Sequence, residues 1–226
     1  MNLLAIDTAT DICGVAMTDD SNLISEYRAV LKRAHAERLL GIIELVLKDA
    51  RLSVHELDGI AVSIGPGSFT GLRIGLSVVK GLAFDPSIPV VAVNTLDAFA
   101  WQGRYYAGPI CSWIKAQSDE AYSALYHMQH GNLQRTSEYQ LIKLDEAADF
   151  IPDEALVFQY GMPALHEHLP EAKRITMAPS DGSIISALTV ARLSVPKFQS
   201  GEVDDIDTLA PFYLKDFHAK KRHSLI

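Results

Sequence analysis

Apolar positions along the chain switch between a period near two and a period near 3.6, and the order of the switches outlines a fold. Alternating or continuous short apolar runs predict strands at 2–7, 13–18 and 23–29, with Asp19-Asp20-Ser21-Asn22 as the turn joining the second to the third. Apolar residues at 39, 40, 42, 43, 46 and 47 predict a helix over 36–50. A strand at 59–64, a helix at 69–84, a strand at 89–93 and a short helix capped by Asn94 or Thr95 follow. The second half gives strands at 108–115, 121–129 and 133–141, with Gly131-Asn132 turning the last pair. Asp145 is a candidate cap for a short helix. Beyond it come a strand at 156–160, a turn at 161–163 with a short helix, a strand at 173–177 and a helix over 183–193.

Three strands, helix, strand, helix is therefore written twice, with little residue identity between the copies. The pattern predicts two similar α/β lobes meeting at a cleft, residues 1–104 and 105–226, with the C-terminal tail a candidate to pack back on the first lobe.

Two helices carry more apolar surface than one sheet can cover. In 69–84 the only charges are Arg73 and Lys80, seven apart on nearly one face, while Leu72, Ile74, Leu76, Val78, Val79 and Leu82 spread around the rest. Gly71 and Gly75 weaken that helix unless a close contact compensates. Helix 36–50 is similarly rich in Leu and Ile. Both read as helices that meet a second chain as well as their own sheet.

The chemistry on offer is sparse. The turn Gly65-Pro66-Gly67 before the second helix aims main-chain N–H groups forward, but no Gly-Lys-Ser/Thr ending makes it a P-loop. It reads either as an anion site or as a steric device for close approach. Asp7, Thr8 and Thr10 at the first strand end could orient a magnesium-bound water and a phosphate, or could satisfy their own turn. At the matching place in the second half stands Lys115, so a two-sided phosphate clamp is chemically altered there. His35, His127, His130, His166 and His168 are scattered, with no His-Glu-x-x-His, and a zinc peptidase is not supported.

Bulk composition narrows the partners. With 48% hydrophobic and 21% charged residues in 226, the chain has the make-up of a soluble globular protein. A formal net charge of −8 argues against broad binding to nucleic acid or a membrane surface by this chain alone. A small basic tail (Lys215, His218, Lys220, Lys221, Arg222, His223) is the exception, read first as a solvated end. Cys13 and Cys111 lie in predicted strands without metal spacing, which fits buried thiols in a reducing cytoplasm. Met1 to Asp7 reads as a strand and not as a signal peptide, and no apolar run is long enough to span a bilayer.

Four segments resemble the bacterial TsaB (YeaZ) family: Leu4-Ala5-Ile6-Asp7-Thr8-Ala9-Thr10, His35 with Glu37-Arg38-Leu39-Leu40, Pro211-Phe212-Tyr213-Leu214-Lys215 and, most specifically, Gly65 through Gly75. The resemblance implies an actin-like ATPase fold of the acetate kinase, Hsp70 and actin type. It implies a non-catalytic subunit that supports the catalytic subunit TsaD in making N6-threonylcarbamoyladenosine at position 37 of tRNAs reading ANN codons. It further implies pairing as a heterodimer with TsaD or a homodimer in isolation, recruitment of the ATPase TsaE, tRNA contact only through the complex, and ATP and magnesium handled by the complex. Carried onto this chain, the interface would use Leu39, Ile43, Phe69, Leu72, Arg73, Gly75, Leu76 and Val79. Lys115-Ala116-Gln117 departs from the family's Asp-Ala-Arg. An independent ATP-dependent phosphotransferase or ATPase of the same fold is the alternative reading.

Overall fold

The computed structural model describes residues 1–31, 34–85, 87–179 and 184–214. The basic tail and Ser183 lie outside these residues. Strands β1 (Asn2–Asp7), β2 (Ile12–Asp19), β3 (Asn22–Val30), β4 (Gly59–Ser63) and β5 (Val90–Val93) form one sheet in the order β3-β2-β1-β4-β5. The β1–β2 and β2–β3 pairs are antiparallel, and β1–β4 and β4–β5 are parallel.

The second sheet repeats this plan. It contains β6 (Ile110–Lys115), β7 (Glu120–Gln129), β8 (Asn132–Arg135), β9 (Gln140–Lys143), β10 (Leu156–Tyr160) and β11 (Thr176–Met177). Their order is β11-β10-β6-β7-β8, with β9 also on β7.

Alternation along the central strands builds two different cores. Leu4, Ile6 and Val15 face one side of the first sheet, where α1 (His35–Ala50) and α2 (Phe69–Phe84) cover them with Leu39, Ile43, Leu76 and Val79. The other side is small: Ala5, Ala16 and Ala61 meet Ala187, Val190 and Ala191 of α5 (Ala187–Ser200). Small residues on both surfaces let this helix lie close to the sheet.

The two interior helices are exchanged between sheets. α3 (Thr95–Trp101), which follows the first sheet in sequence, packs on β6, β7 and β8, whereas α5, which follows the second, packs on β1, β2 and β5. Asp97 of α3 accepts the hydroxyls of Tyr126 and Tyr139, fixing this helix to the second sheet. The short α4 (Ala147–Phe150) closes the outer core around Trp113, Val157 and Leu165.

Several expectations shift. The strand expected over 133–141 is two strands, because Thr136 and Ser137 fold out of the ladder. Thr136 N–H donates to the Leu125 carbonyl, and Ser137 Oγ accepts Leu125 N–H at 2.9 Å in place of a main-chain partner. The strand expected over 173–177 shrinks to Thr176–Met177, since Arg174 N–H is held by the Asp153 carboxylate and Ile175 N–H by the Lys173 carbonyl. The cap expected from Asp145 is supplied by Glu146, whose carboxylate accepts Lys143 N–H. The last helix runs on to Ser200 through Pro196. That proline is exposed, so its missing bond faces water while Val195 and Phe198 stay packed.

Candidate functional site

Asp7 ends β1 beside Ser63, which ends β4. Ser63 Oγ donates to Asp7 Oδ1, and Ala9 N–H approaches the same oxygen at 3.5 Å. Oδ2 is buried without a hydrogen-bond partner among the described residues. Burial pushes the carboxyl up to about 6, against the lowering effect of the two donors. This is a carboxyl under the turn, with no atom at the surface.

The sign of its effect on stability follows. The native pKa lies above the unfolded value near 3.8, so the native state holds the extra proton and stability falls as pH rises from about 4 through 6. The loss is on the order of 2–3 kcal/mol by pH 7. Asp7→Asn, which removes the charge at nearly constant shape, is expected to flatten that limb and raise stability at pH 7. Urea unfolding between pH 4.5 and 8 measures it; an unchanged limb in the variant would assign the dependence elsewhere.

Thr8 turns toward α2 and not toward the cleft. Its Oγ1 donates to the Gly71 carbonyl at 2.9 Å. A Cβ on Gly71 would run into the Thr8 carbonyl oxygen, and one on Gly75 into Thr8 Oγ1. Ser68 completes the clamp: its N–H donates to the Ala9 carbonyl at 2.7 Å and its Oγ caps Gly71 N–H at 3.2 Å. The helix glycines serve close approach of α2 to the β1–β2 turn.

Between the lobes lies a cleft of about 330 Å³. The Thr10-Asp11 turn forms one wall and the Lys115-Ala116-Gln117 hairpin the opposite one, with Tyr122, Tyr160 and Tyr213 around it. Of the three candidate cleft residues only Thr10 lines it; Asp7 and Thr8 are buried behind the turn. Tyr160 Oη accepts Asp11 N–H at 3.3 Å, bridging the lobes, and burial raises its phenol above the usual value. Lys115 ends β6 as Asp7 ends β1, but it is exposed. No group of three or more His, Cys, Asp or Glu able to hold a metal ion occurs among the described residues.

Burial divides the residues expected at an interface into two groups. Leu39, Ile43, Leu72, Gly75, Leu76 and Val79 point into the chain's own core, so they have no surface to give a partner. Phe69 and Arg73 do reach the surface. Arg73 stacks its guanidinium 3.8 Å over the Phe69 ring and donates from Nε to Tyr213 Oη at 3.1 Å, while Tyr213 stacks on Phe69 at 5.4 Å. Next to them, Ala36 of α1 and Thr70, Ile74, Ser77 and Val78 of α2 line a shallow groove. Leu40, one turn from Ala36, is 52% exposed. Sequence reasoning missed Leu40, Ile74 and Val78 as surface residues because a helix apolar on most sides does not announce which side faces its sheet. The Tyr213 contact was foreshadowed only by two segments of one family resemblance.

The duplicated lobes, the exchanged inner helices and the cleft between the sheets define an actin-like ATPase fold. Component A of (R)-2-hydroxyglutaryl-CoA dehydratase from Acidaminococcus fermentans shares it at a TM-score of 0.54 and 10% identity, over 88% of this chain and 99% of that one. A family model described as TsaD, tRNA N6-adenosine threonylcarbamoyltransferase, matches residues 23–221. YeaZ from Pseudomonas aeruginosa superposes with a TM-score of 0.83 at 29% identity, covering 94% of this chain and 99% of that one. The tRNA threonylcarbamoyladenosine biosynthesis protein TsaB of Bacillus subtilis is 32% identical over 173 residues, 76% of each chain. The Escherichia coli TsaB is 27% identical over 231 residues, 98% of each. The chain belongs to the TsaB (YeaZ) family.

Proposed function

We propose that the chain acts in tRNA threonylcarbamoyladenosine biosynthesis as a non-catalytic subunit, and that it pairs through the α1/α2 groove with TsaD. The observation that supports this most is the groove itself, an apolar strip edged by the restrained Arg73 on helices whose inner sides are already filled. In isolation the same surface pairs two copies of the chain. TsaE joins the heterodimer, tRNA is met through the complex, ATP and magnesium are handled there, and the setting is the cytoplasm. Residues 1–104, carrying the groove, and 105–226 serve as its two lobes.

A non-catalytic role also fits the cleft, where the buried Asp7 is turned away and the opposite wall carries a lysine. Reconstitution is the test. This chain with TsaD, TsaE, ATP, bicarbonate, threonine and the threonylcarbamoyl-adenylate synthase is expected to modify tRNA only when this chain is present. Modification indifferent to it would end the proposal. Titration of Mg-ATP into the isolated chain is expected to give no heat; saturable binding would favour an independent ATP-dependent phosphotransferase.

A further inference from the structure

The first sheet ends on β3, and among the described residues nothing pairs with the outer side of that strand. An open edge of this length is usually shortened, charged or covered. β3 is nine residues long and exposes Leu23, Ile24, Tyr27 and Val30, at 45, 43, 39 and 65%. Its pairing with β2 is uninterrupted from Met17↔Ser25 to Ile12↔Val30, the bulge being confined to the far end at Met17/Thr18.

The direction of its main-chain groups follows from one bond. Leu31 N–H donates to the Asp11 carbonyl at 2.7 Å, one step beyond the Ile12↔Val30 pair. In an antiparallel ladder bonding residues alternate, so Ala29 and Tyr27 also bond toward β2. Glu26, Arg28 and Val30 then turn their N–H and C=O groups outward.

We propose that this edge is self-complementary and that two copies of the chain pair β3 to β3, antiparallel, with Tyr27 on the two-fold axis. In that register Glu26 lies opposite Arg28 of the second copy, twice, and both sets of outward main-chain groups are satisfied. Ile24 lies opposite Val30, and Ser25 opposite Ala29. Moving the axis to Glu26 or to Arg28 sets like charges face to face, which selects the Tyr27 register. Glu26 is fixed on that face: its Oε1 accepts the Ser186 hydroxyl at 2.6 Å and Leu188 N–H at 3.4 Å, at the start of α5, with Arg28 Nε of the same chain 3.8 Å away, and in the dimer each Arg28 exchanges this intrachain contact for the Glu26 opposite. Arg28 and Glu26 share the face of the sheet that carries α5, so the pair forms without crossing the strand. The surface is separate from the α1/α2 groove, and its function does not depend on the role proposed for that groove.

The full chain carrying Ser77→Arg, which blocks the groove, is the starting material for the test. Sedimentation velocity is expected to show a concentration-dependent dimer that Arg28→Glu weakens at least tenfold, by placing Glu opposite Glu. Arg28→Pro is expected to do the same while leaving the fold intact, because that N–H points away from β2. The register is read separately by cysteine cross-linking, both native cysteines being buried. Tyr27→Cys meets itself in a non-hydrogen-bonded pair with Cα atoms about 4.5 Å apart, within disulfide reach, and is expected to give an oxidised dimer. Arg28→Cys faces Glu26 and is expected to cross-link far less. A monomer at every concentration, a dimer unchanged by both Arg28 variants, or cross-linking of Arg28→Cys equal to that of Tyr27→Cys would each overturn the proposal. Reconstituted tRNA modification, measured in the chain with Ser77 intact, reports on the groove and is expected to survive Arg28→Glu, so the two readings fail separately.

Discussion

Ser77→Arg and Leu40→Glu are each expected to abolish productive pairing with TsaD while leaving the fold intact. Both positions are exposed, Leu40 at 52%, and neither side chain belongs to the core beneath. Substitutions of this kind usually change stability by no more than about 0.5 kcal/mol. A large or charged side chain in the centre of a packed contact removes 2 kcal/mol or more, about a 30-fold loss of affinity. Modified tRNA formed in the reconstituted system is expected to fall by at least that factor at limiting concentration. Isothermal titration with TsaD, alongside thermal unfolding of each variant, separates the two quantities. Undiminished affinity in both variants would remove the groove from the pairing surface.

The second large effect lies on the inner side of α2. Gly75→Ala is expected to destabilise the chain by about 2–3 kcal/mol, because its Cβ enters space held by Thr8 Oγ1. For a chain of this size that is a fall in Tm of roughly 5–10 °C. Gly71→Ala is expected to be at least as damaging, since its Cβ meets the Thr8 carbonyl oxygen. The two differ in what relieves them. Thr8→Ala removes the hydroxyl that obstructs position 75 but leaves the carbonyl that obstructs position 71. Adding Thr8→Ala is therefore expected to restore most of the stability lost in Gly75→Ala and none of that lost in Gly71→Ala. Equal rescue of both, or of neither, in denaturant unfolding would show that α2 moves off the turn instead of clashing with it. A charged residue at 75, such as Gly75→Glu, tests the fold and says nothing about a partner.

Ser77 and the two glycines lie side by side on α2, and only packing tells them apart. Ser77 and Leu76 are neighbours in sequence, yet Leu76 is 5% exposed and sealed against β4 while Ser77 is at the surface. A helix with a narrow apolar stripe would have revealed its inner face by period alone. In α2, apolar side chains at 72, 74, 76, 78, 79 and 82 leave the phase undetermined. Long-range contacts settle it: the approach of Thr8 to Gly71 and Gly75 fixes which side of α2 meets the sheet.

Elsewhere local chemistry was enough. Short apolar runs at 2–7 and 59–64 and the sustained apolar stretch of 69–84 place the elements that frame the first sheet within a residue or so. The duplicated order of strands and helices was legible for the same reason, because each element carries its own period. What escaped is whatever depends on a distant partner. The break at Thr136–Tyr139 comes from Leu125, the shortening of β11 from Asp153, and the continuation of α5 through Pro196 from packing of Val195 and Phe198.

The sequence by itself determined the strand and helix order, the two-lobed plan, the family and the excess of apolar surface on two helices, all properties set by residues near one another along the chain. The tertiary structure alone decided that Asp7 is sealed beneath its turn, that α3 and α5 are exchanged between sheets, and that Ser77 lines a groove with Leu40 exposed one turn from its Ala36 wall. Each of those depends on which surfaces meet across a hundred residues or more of chain or across a sheet, and contact of that range leaves no periodic trace in the residues that make it.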